Sequence, residues 1–247
     1  MATHLCIDCG NTRVKATLVE GGHVAARAVA TLDDWAAVSA LVTSRRVDAA
    51  LLVSTTDGDA ALVDALSAQL PCSLERLTAA RALPLQVAYR TPHTLGPDRI
   101  ATAVGAWGEY TGCNLLVVDA GTAITIDVVL AQGTLLGGSI SPGVAMRLRA
   151  MHEHTSRLPM VEADGEVPLV PYDTTTALRS GAVLGAAAEV DAQAQRLKAT
   201  LGQLQVVITG GDAELLMPHL LTNGVAHEHD LLAKGADLIL SWSNESL

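Results

Sequence analysis

Two segments of this 247-residue chain follow one strand–turn–strand plan, and this repetition is the strongest constraint on the fold. The first, LCIDCGNTRVKATLVEGGHV at residues 5–24, reads as an apolar strand, an Asp-x-Gly-Asn-Thr turn, a second strand and a glycine turn into a third. The second, LLVVDAGTAITIDVVLAQGTLLGGSI at residues 115–140, repeats that order. Asp8 and Asp119 occupy the matching positions, so we expect two halves with the same architecture.

Strand and helix patterns alternate between and after these hairpins, which indicates an α/β architecture. In the second half, Asp173 predicts the N-cap of a long helix that ends near Leu201, and Asp212 predicts the cap of another helix. We expect an N-terminal lobe at residues 1–113 and a C-terminal lobe at residues 114–247.

The charge balance indicates the class of partner. With 16 basic and 26 acidic residues the net charge is -10, which argues against a nucleic-acid or anionic-membrane surface and favours a small ligand. No run of about 18 apolar residues and no signal-peptide order appear, so a cytoplasmic location is expected. An acidic protein that binds a polyanion must use backbone N–H groups and a bound metal for the phosphates.

The two Asp-x-Gly turns are suited to that task. A carboxylate at the end of a buried strand, followed by glycine and a hydroxyl residue, places a ligand for Mg²⁺ beside exposed backbone donors. We expect the two turns to hold the phosphates of ATP across a cleft between lobes. An ordinary hairpin turn with a local aspartate hydrogen bond is the alternative for either turn alone. Lys15 either reaches a phosphate or is a solvated lysine at a strand end.

Two further motifs add chemistry. In Thr-Gly-Gly-Asp, Gly210 and Gly211 permit close approach of the backbone to a flat ligand, although such turns are common in α/β proteins. In Leu-Gly-Pro-Asp-Arg, Asp98 could accept a proton from a substrate hydroxyl while Arg99 binds a carboxylate. The alternative for that motif is an N-cap aspartate beside a surface arginine.

The cysteine and histidine patterns do not predict a further metal site. Cys6 and Cys9 form a C-x-x-C without a second pair, and we interpret them as structural residues. The chain has two His-x-His pairs, each without a third ligand at a suitable spacing in the sequence. The pairs are His152 with His154 and His227 with His229.

The motifs IDCGNTRVK, LGPDR, VDAGTA, GGSISPG, DTTTALRSG and TGG, in this order, resemble those of the type III pantothenate kinases, the Bvg accessory factor homologues. The resemblance spans nearly the whole chain. It implies the actin-like ATPase superfold of actin and the acetate and sugar kinases, with ribonuclease H-like cores. It also implies ATP-dependent phosphorylation of pantothenate to 4′-phosphopantothenate, the first step of coenzyme A biosynthesis, by a homodimer whose subunit interface completes the substrate site.

The resemblance assigns roles residue by residue. Asp8 is implied as the Mg²⁺ anchor, Asp119 as the holder of a monovalent cation such as K⁺ or NH₄⁺, and Asp98 as the general base. The implied nucleotide contacts are Asp8, Cys9, Gly10, Asn11, Thr12, Arg13, Val14, Lys15 and Thr122. The glycine turns described above add Gly121, Gly210 and Gly211 to the expected nucleotide contacts. The implied substrate contacts are Tyr89, Gly96, Pro97, Asp98, Arg99 and Thr174. The chain departs from the common family pattern at Pro97 and Thr102, which leaves the Asp98–Arg99 pair intact.

Two rival functions remain open at this point. One is a kinase or phosphohydrolase of the same superfold that acts on a sugar, acetate or polyphosphate, since fold does not determine substrate. The other is a non-catalytic regulator that binds nucleotide and acts through a partner.

Overall fold

The computed structural model describes residues 2–11 and 13–245, and the chain groups into two units by its internal contacts. The first unit contains the chain up to Thr111, Gln132–Leu136 and the residues from Asp230 onward. The second contains Gly112–Ala131 and Gly137–His229. The two lobes expected from the sequence were contiguous, at residues 1–113 and 114–247. The observed division differs because Gln132–Leu136 and the C-terminal helix belong to the first unit.

Strands and helices alternate along the chain as the apolar patterns predict. Up to residue 111 the elements are β1 (Thr3–Cys9), β2 (Val14–Glu20), β3 (His23–Ala30), α1 (Ala36–Ser44), β4 (Ala49–Ser54), α2 (Ala60–Ser67), β5 (Leu74–Arg76), β6 (Gln86–Val87), a 3₁₀ turn (Pro92–Thr94) and α3 (Pro97–Glu109). Beyond it they are β7 (Leu115–Ala120), β8 (Ala123–Leu130), β9 (Thr134–Pro142), α4 (Val144–Glu153), α5 (Thr174–Leu201), β10 (Gln205–Thr209), α6 (Ala213–Leu216), a second 3₁₀ turn (Met217–His219), β11 (Ala226–His227) and α7 (Leu231–Glu245).

Both units contain a sheet with the same topology. The first sheet has the order β3-β2-β1-β4-β5, and the strands β7 to β11 take the order β11-β10-β7-β8-β9. In the first sheet, β1 is antiparallel to β2 and parallel to β4, and β4 is parallel to β5. In the second, β7 is likewise antiparallel to β8 and parallel to β10, and β10 is parallel to β11. Within the first unit, β6 also pairs with Thr134 and Leu135 at the beginning of β9. The shared topology confirms the repeat seen in the sequence.

Each sheet covers a separate apolar core. The first core includes Leu5 and Ile7 of β1, and the second includes Leu116 and Val118 of β7, all fully buried. Near-continuous apolar runs such as these are typical of strands that are covered on both faces. In the first sheet Cys6 and Cys9 are also buried, and burial raises the pKa of both thiols, so they are protonated core residues.

Helix α7 packs against α3 through two glycines. A Cβ on Gly105 would lie 2.0 Å from the carbonyl oxygen of Leu231, and a Cβ on Gly235 would lie 1.8 Å from that of Ala101. No side chain fits at either position, so the two backbones approach directly. In addition, Nδ1 of the buried His4 lies 2.7 Å from Oδ1 of Asp237 on α7. These contacts explain why the end of the chain belongs to the first unit.

The two predicted helix caps in the second half differ. Asp173 caps α5 as predicted, since its Oδ1 accepts a hydrogen bond of 2.7 Å from the backbone N–H of Thr176. Asp212 precedes α6 but its side chain makes no capping hydrogen bond, and burial raises the pKa of its carboxyl. Among the helices in the described part of the chain, none has the length and hydropathy required to cross a bilayer.

Candidate active site

Asp8 lies at the end of β1, immediately before the first Asp-x-Gly turn. In the sheet register it is opposite Lys15 on β2 and Val53 on β4. The turn is closed by the N–H of Gly10, which donates to the carbonyl of Arg13 over 3.0 Å. Asn11 and Arg13 are exposed beside it, whereas Thr12 lies outside the described residues. The turn therefore presents backbone groups next to one half-buried carboxylate.

The electrostatics around Asp8 favour a bound cation. Burial raises the pKa of the Asp8 carboxyl, and the negative charge of Asp98 raises it further. Lys15 opposes both effects, with its Nζ 3.7 Å from Oδ2 of Asp8, but this lysine is half exposed. The carboxylate is therefore poorly stabilised by the protein alone, which is the condition in which a metal ion with oxygen ligands binds well.

The Gly-Pro-Asp-Arg motif begins α3, in the same unit as Asp8. Gly96 is the N-cap residue and Pro97 follows it at the first helical position, where its fixed φ and missing N–H cost nothing. Asp98 is half-buried, and its Oδ1 accepts a 2.9 Å hydrogen bond from the N–H of Arg99. A Cβ on Gly96 would lie 2.3 Å from that same oxygen.

Arg99 is buried rather than on the surface. Only 5% of the residue is exposed, and its Cζ lies 5.8 Å from the centroid of the Tyr89 ring, within the range of a cation–π contact. The alternative was an N-cap aspartate with a surface arginine. It is wrong on both points, since Gly96 is the N-cap residue and Arg99 is buried. A buried guanidinium next to a half-buried carboxylate has the composition of a binding site.

The second turn repeats the first within the second unit. Asp119 on β7 is opposite Thr125 on β8 and Thr209 on β10. The N–H of Gly121 donates to the carbonyl of Ala123 over 3.1 Å, which makes this turn one residue shorter than the first. Thr122 at its tip is exposed, so its hydroxyl is available to a ligand.

The Thr-Gly-Gly-Asp turn packs directly against this second turn. Gly210 has φ +98°, and a Cβ there would lie 2.5 Å from Oδ1 of Asp119 and 2.3 Å from the carbonyl oxygen of Ala120. The N–H of Asp212 donates to that same carbonyl over 2.9 Å. Gly211 has open space where a side chain would be. Two motifs that are about 90 residues apart in the sequence therefore form one local surface.

Gly143 is a site residue that the sequence reasoning missed. A Cβ at this position would lie 2.1 Å from the carbonyl oxygen of Gly121, and its N–H donates to the carbonyl of Thr122 over 3.1 Å. The second turn is thus held from two sides, by Gly143 and by Gly210. Gly143 is the last residue of the GGSISPG motif, but the motif alone does not show which segment this glycine contacts.

The other predicted residues have mixed placements. The side chains of Cys9 and Val14 are buried in the first core, so only their backbone groups are available to a nucleotide. Thr174 is exposed at the beginning of α5 and lines an apolar groove of about 820 Å³ between α4 and α5. Met146 and Met151 are exposed in the same groove.

Comparison with known proteins places this geometry in context. A family model described as type III pantothenate kinase matches residues 4–196. A type III pantothenate kinase of Bacteroides fragilis (strain YCH46) is 34% identical over 241 residues, 98% of each chain. The type III pantothenate kinase of Porphyromonas gingivalis (strain W83) is 34% identical over 250 residues, 98% of this chain and 100% of the relative.

Solved structures show the fold. A Baf family protein from Campylobacter jejuni matches with a TM-score of 0.60 and 21% identity, over 98% of this chain and 100% of that chain. The activator of the 2-hydroxyisocaproyl-CoA dehydratase from Clostridium difficile, with bound ADPNP, matches with a TM-score of 0.55 and 13% identity, over 99% of this chain and 96% of that chain. The inorganic polyphosphate/ATP-glucomannokinase from Arthrobacter sp. strain KM matches with a TM-score of 0.53 and 14% identity, over 98% of this chain and 100% of that chain. The chain has the actin-like ATPase fold, as the family resemblance implied.

Proposed function

Since the chain belongs to the type III pantothenate kinase family and is therefore a kinase, we propose that it transfers the γ-phosphoryl group of ATP to the primary hydroxyl of pantothenate. The product would be 4′-phosphopantothenate, in the first step of coenzyme A biosynthesis. The observation that carries this proposal is the grouping, within one unit, of Asp8, Asp98 and the buried Arg99.

The first turn and the second turn supply the proposed nucleotide contacts. Asp8 and the backbone of residues 9–15 bind phosphate oxygens, with Lys15 as a nearby positive charge. In the second unit, Gly121, Thr122, Gly210 and Gly211 supply backbone and hydroxyl groups. Glycines suit this role because a backbone without a Cβ lets phosphate approach closely. Since the N–H groups of Gly10 and Gly121 already close their own turns, other N–H groups of the turns donate to phosphate.

The donor set at Asp8 fits Mg²⁺. Its carboxylate oxygens are the ligand type that this ion prefers, and one or two carboxylates with water and phosphate oxygens complete such sites. When bound, Mg²⁺ neutralises charge on the transferred phosphate and on the leaving oxygens. We also propose, on the family resemblance, that Asp119 holds a monovalent cation, K⁺ or NH₄⁺.

Asp98 and Arg99 act on the acceptor. The carboxylate of Asp98 takes the proton of the pantothenate hydroxyl as the hydroxyl oxygen attacks the γ phosphorus. The guanidinium of Arg99 binds the pantothenate carboxylate, and its contact with the ring of Tyr89 keeps it in one orientation. Gly96 and Pro97 hold the helix start, so that the base and the carboxylate anchor keep a constant separation.

We propose further that a second copy of the chain covers the α4–α5 groove and completes the substrate site. The groove is apolar and exposes Met146 and Met151. It also contains Thr174, the proposed substrate contact that lies in the second unit. A Met151→Glu variant should shift the chain from dimer to monomer in light scattering and raise the KM for pantothenate. A wild-type chain that is monomeric at full activity would contradict the dimer.

A coupled assay for ADP tests the function directly. The purified chain with Mg-ATP is offered pantothenate, glucose and acetate in parallel, and the product is identified by mass. Turnover with pantothenate, and none with glucose or acetate, supports the proposal. Preference for another acceptor would make the chain a different small-molecule kinase, and ATP consumption independent of the acceptor would favour the nucleotide-binding regulator.

The role of Arg99 has a separate test. The alcohol analogue of pantothenate, in which a hydroxymethyl group replaces the carboxylate, should be a much poorer substrate than pantothenate for the wild-type chain. An Arg99→Gln variant should lose this discrimination, while its KM for ATP stays the same. Equal discrimination in both proteins would remove Arg99 from the carboxylate site.

A further inference from the structure

Three side chains of the second unit bring metal-binding atoms together, away from the Asp-x-Gly turns in sequence. Glu214 lies on α6, His227 ends β11 and His229 follows two residues later. Their ligand atoms all lie within 4.8 Å of one another, and the two imidazole centroids are 4.2 Å apart. The His227–His229 pair did not predict this site from the sequence, because the third ligand, Glu214, comes from a segment 13 residues before His227.

The backbone on both sides of this cluster is held by β10. His227 is in register with Ile208 of β10, and the N–H of Glu228 donates to the carbonyl of Ile208 over 3.0 Å. On the other side, α6 begins shortly after β10 ends, so Glu214 is attached to the same strand. The three side chains therefore come from backbone segments that the sheet keeps in place, which reduces the entropy lost when they bind one ion.

The donor types identify the class of metal. Two imidazoles and a carboxylate suit Zn²⁺ and related transition ions, whereas Mg²⁺ and Ca²⁺ select oxygen ligands. Bonds of about 2.0–2.1 Å in a tetrahedral site place the ligand atoms about 3.3 Å apart. Glu214 and His229 are exposed and His227 is half-buried, so rotation of the side chains can close the present spacing and water can fill the fourth position.

We propose that Glu214, His227 and His229 form a binding site for Zn²⁺ or a similar divalent transition ion. The ion would link α6 to β11. Because α6 directly follows the Gly210–Gly211 turn, an occupied site would also limit the motion of that turn. The site does not depend on the proposed kinase reaction, and it can be tested without measuring activity.

The test uses untagged protein that has been stripped with a chelator and carries Cys113→Ser, since the exposed Cys113 thiol could also bind zinc. Zn²⁺ is titrated in competition with a chromophoric chelator, and Co²⁺ is added separately to read its ligand-field absorption. We expect about one ion per chain, with a higher Tm when Zn²⁺ is bound. Glu214→Gln and His229→Gln should each weaken binding at least about 10-fold.

His154→Gln is the matched control, because it removes a histidine from the other His-x-His pair and leaves the cluster intact. It should bind Zn²⁺ as the parent does. Absence of stoichiometric binding by the parent protein would overturn the proposal. Unchanged affinity in both cluster variants, or an equal loss in the control, would also overturn it. The altered side chains are exposed, so circular dichroism should show that all variants fold.

Discussion

The carboxylate of Asp98 occupies space that a side chain on Gly96 would need, since a Cβ at position 96 would lie 2.3 Å from Oδ1 of Asp98. The same oxygen accepts a hydrogen bond from the N–H of Arg99. The orientation of the proposed base therefore depends on a glycine two residues before it.

Gly96→Ala should displace the Asp98 carboxylate and lower kcat by about 10²-fold, because a misplacement of about 1 Å can cost that much. Tm should change little, since the displaced group is a side chain that can rotate. Gly185→Ala in α5 is the control, because a Cβ there has only an ordinary contact of 3.7 Å with Arg147. Steady-state kinetics that show equal kcat for wild type and Gly96→Ala would contradict this relationship.

Asp98→Asn should reduce kcat by a factor on the order of 10² or more, because the amide cannot accept the proton from the pantothenate hydroxyl. The KM for ATP should stay close to the wild-type value, since the proposed nucleotide contacts lie elsewhere. The exposed Asp64 on α2 provides a charge-matched control as Asp64→Asn. Normal turnover by the Asp98→Asn protein would exclude a general base at this position.

Asp8→Asn should make the protein more stable and much less active. Burial and the charge of Asp98 raise the pKa of the Asp8 carboxyl, so its ionised form costs folding free energy. This cost is absent below the ordinary aspartate pKa of about 3.9 and develops as pH rises through the folded-state pKa. The Tm advantage of the variant, followed by circular dichroism, should therefore grow from pH 4 to pH 7.

The activity of the same variant should fall by about 10²-fold or more, since the ligand for Mg²⁺ is lost and a metal contributes several kcal/mol to such a transition state. A Tm difference that is constant over this pH range would show that the Asp8 charge does not oppose folding. Retained activity would show that the metal is held elsewhere.

Gly235→Ala should destabilise the first unit by about 1–3 kcal/mol, because the new methyl group would meet the backbone carbonyl of Ala101 at 1.8 Å. A backbone atom in a packed helix cannot rotate away as a side chain can. Denaturant unfolding measures the change, with Gly185→Ala again as the control, which should be neutral or slightly stabilising. Equal stability of Gly235→Ala and wild type would mean that α7 can shift relative to α3.

The features that were predictable from sequence depend on local pattern. The two hairpins, the equivalent positions of Asp8 and Asp119, and the Asp173 cap of α5 all follow from residues within one or two elements. Strand alternation, glycine at turns and an N-cap residue act over short distances, so the local sequence is sufficient to specify them.

The features that were not predictable join distant segments. Gly143 contacts the second turn, Glu214 joins a histidine pair, and Gly235 permits α7 to pack within the first unit. No spacing rule relates such residues, because their contact requires the intervening chain to have folded first. For the same reason the sequence left the position of Arg99 open between the surface and a buried site.

The residue patterns alone specify a duplicated α/β architecture with an aspartate at the end of the first strand of each sheet. Three features became visible in the folded chain: Arg99 is buried beside Tyr89, Gly210 packs on Asp119, and the C-terminal helix belongs to the first unit. Periodicity and turn chemistry are properties of neighbouring residues, whereas burial and close backbone contact depend on packing between elements far apart in the chain.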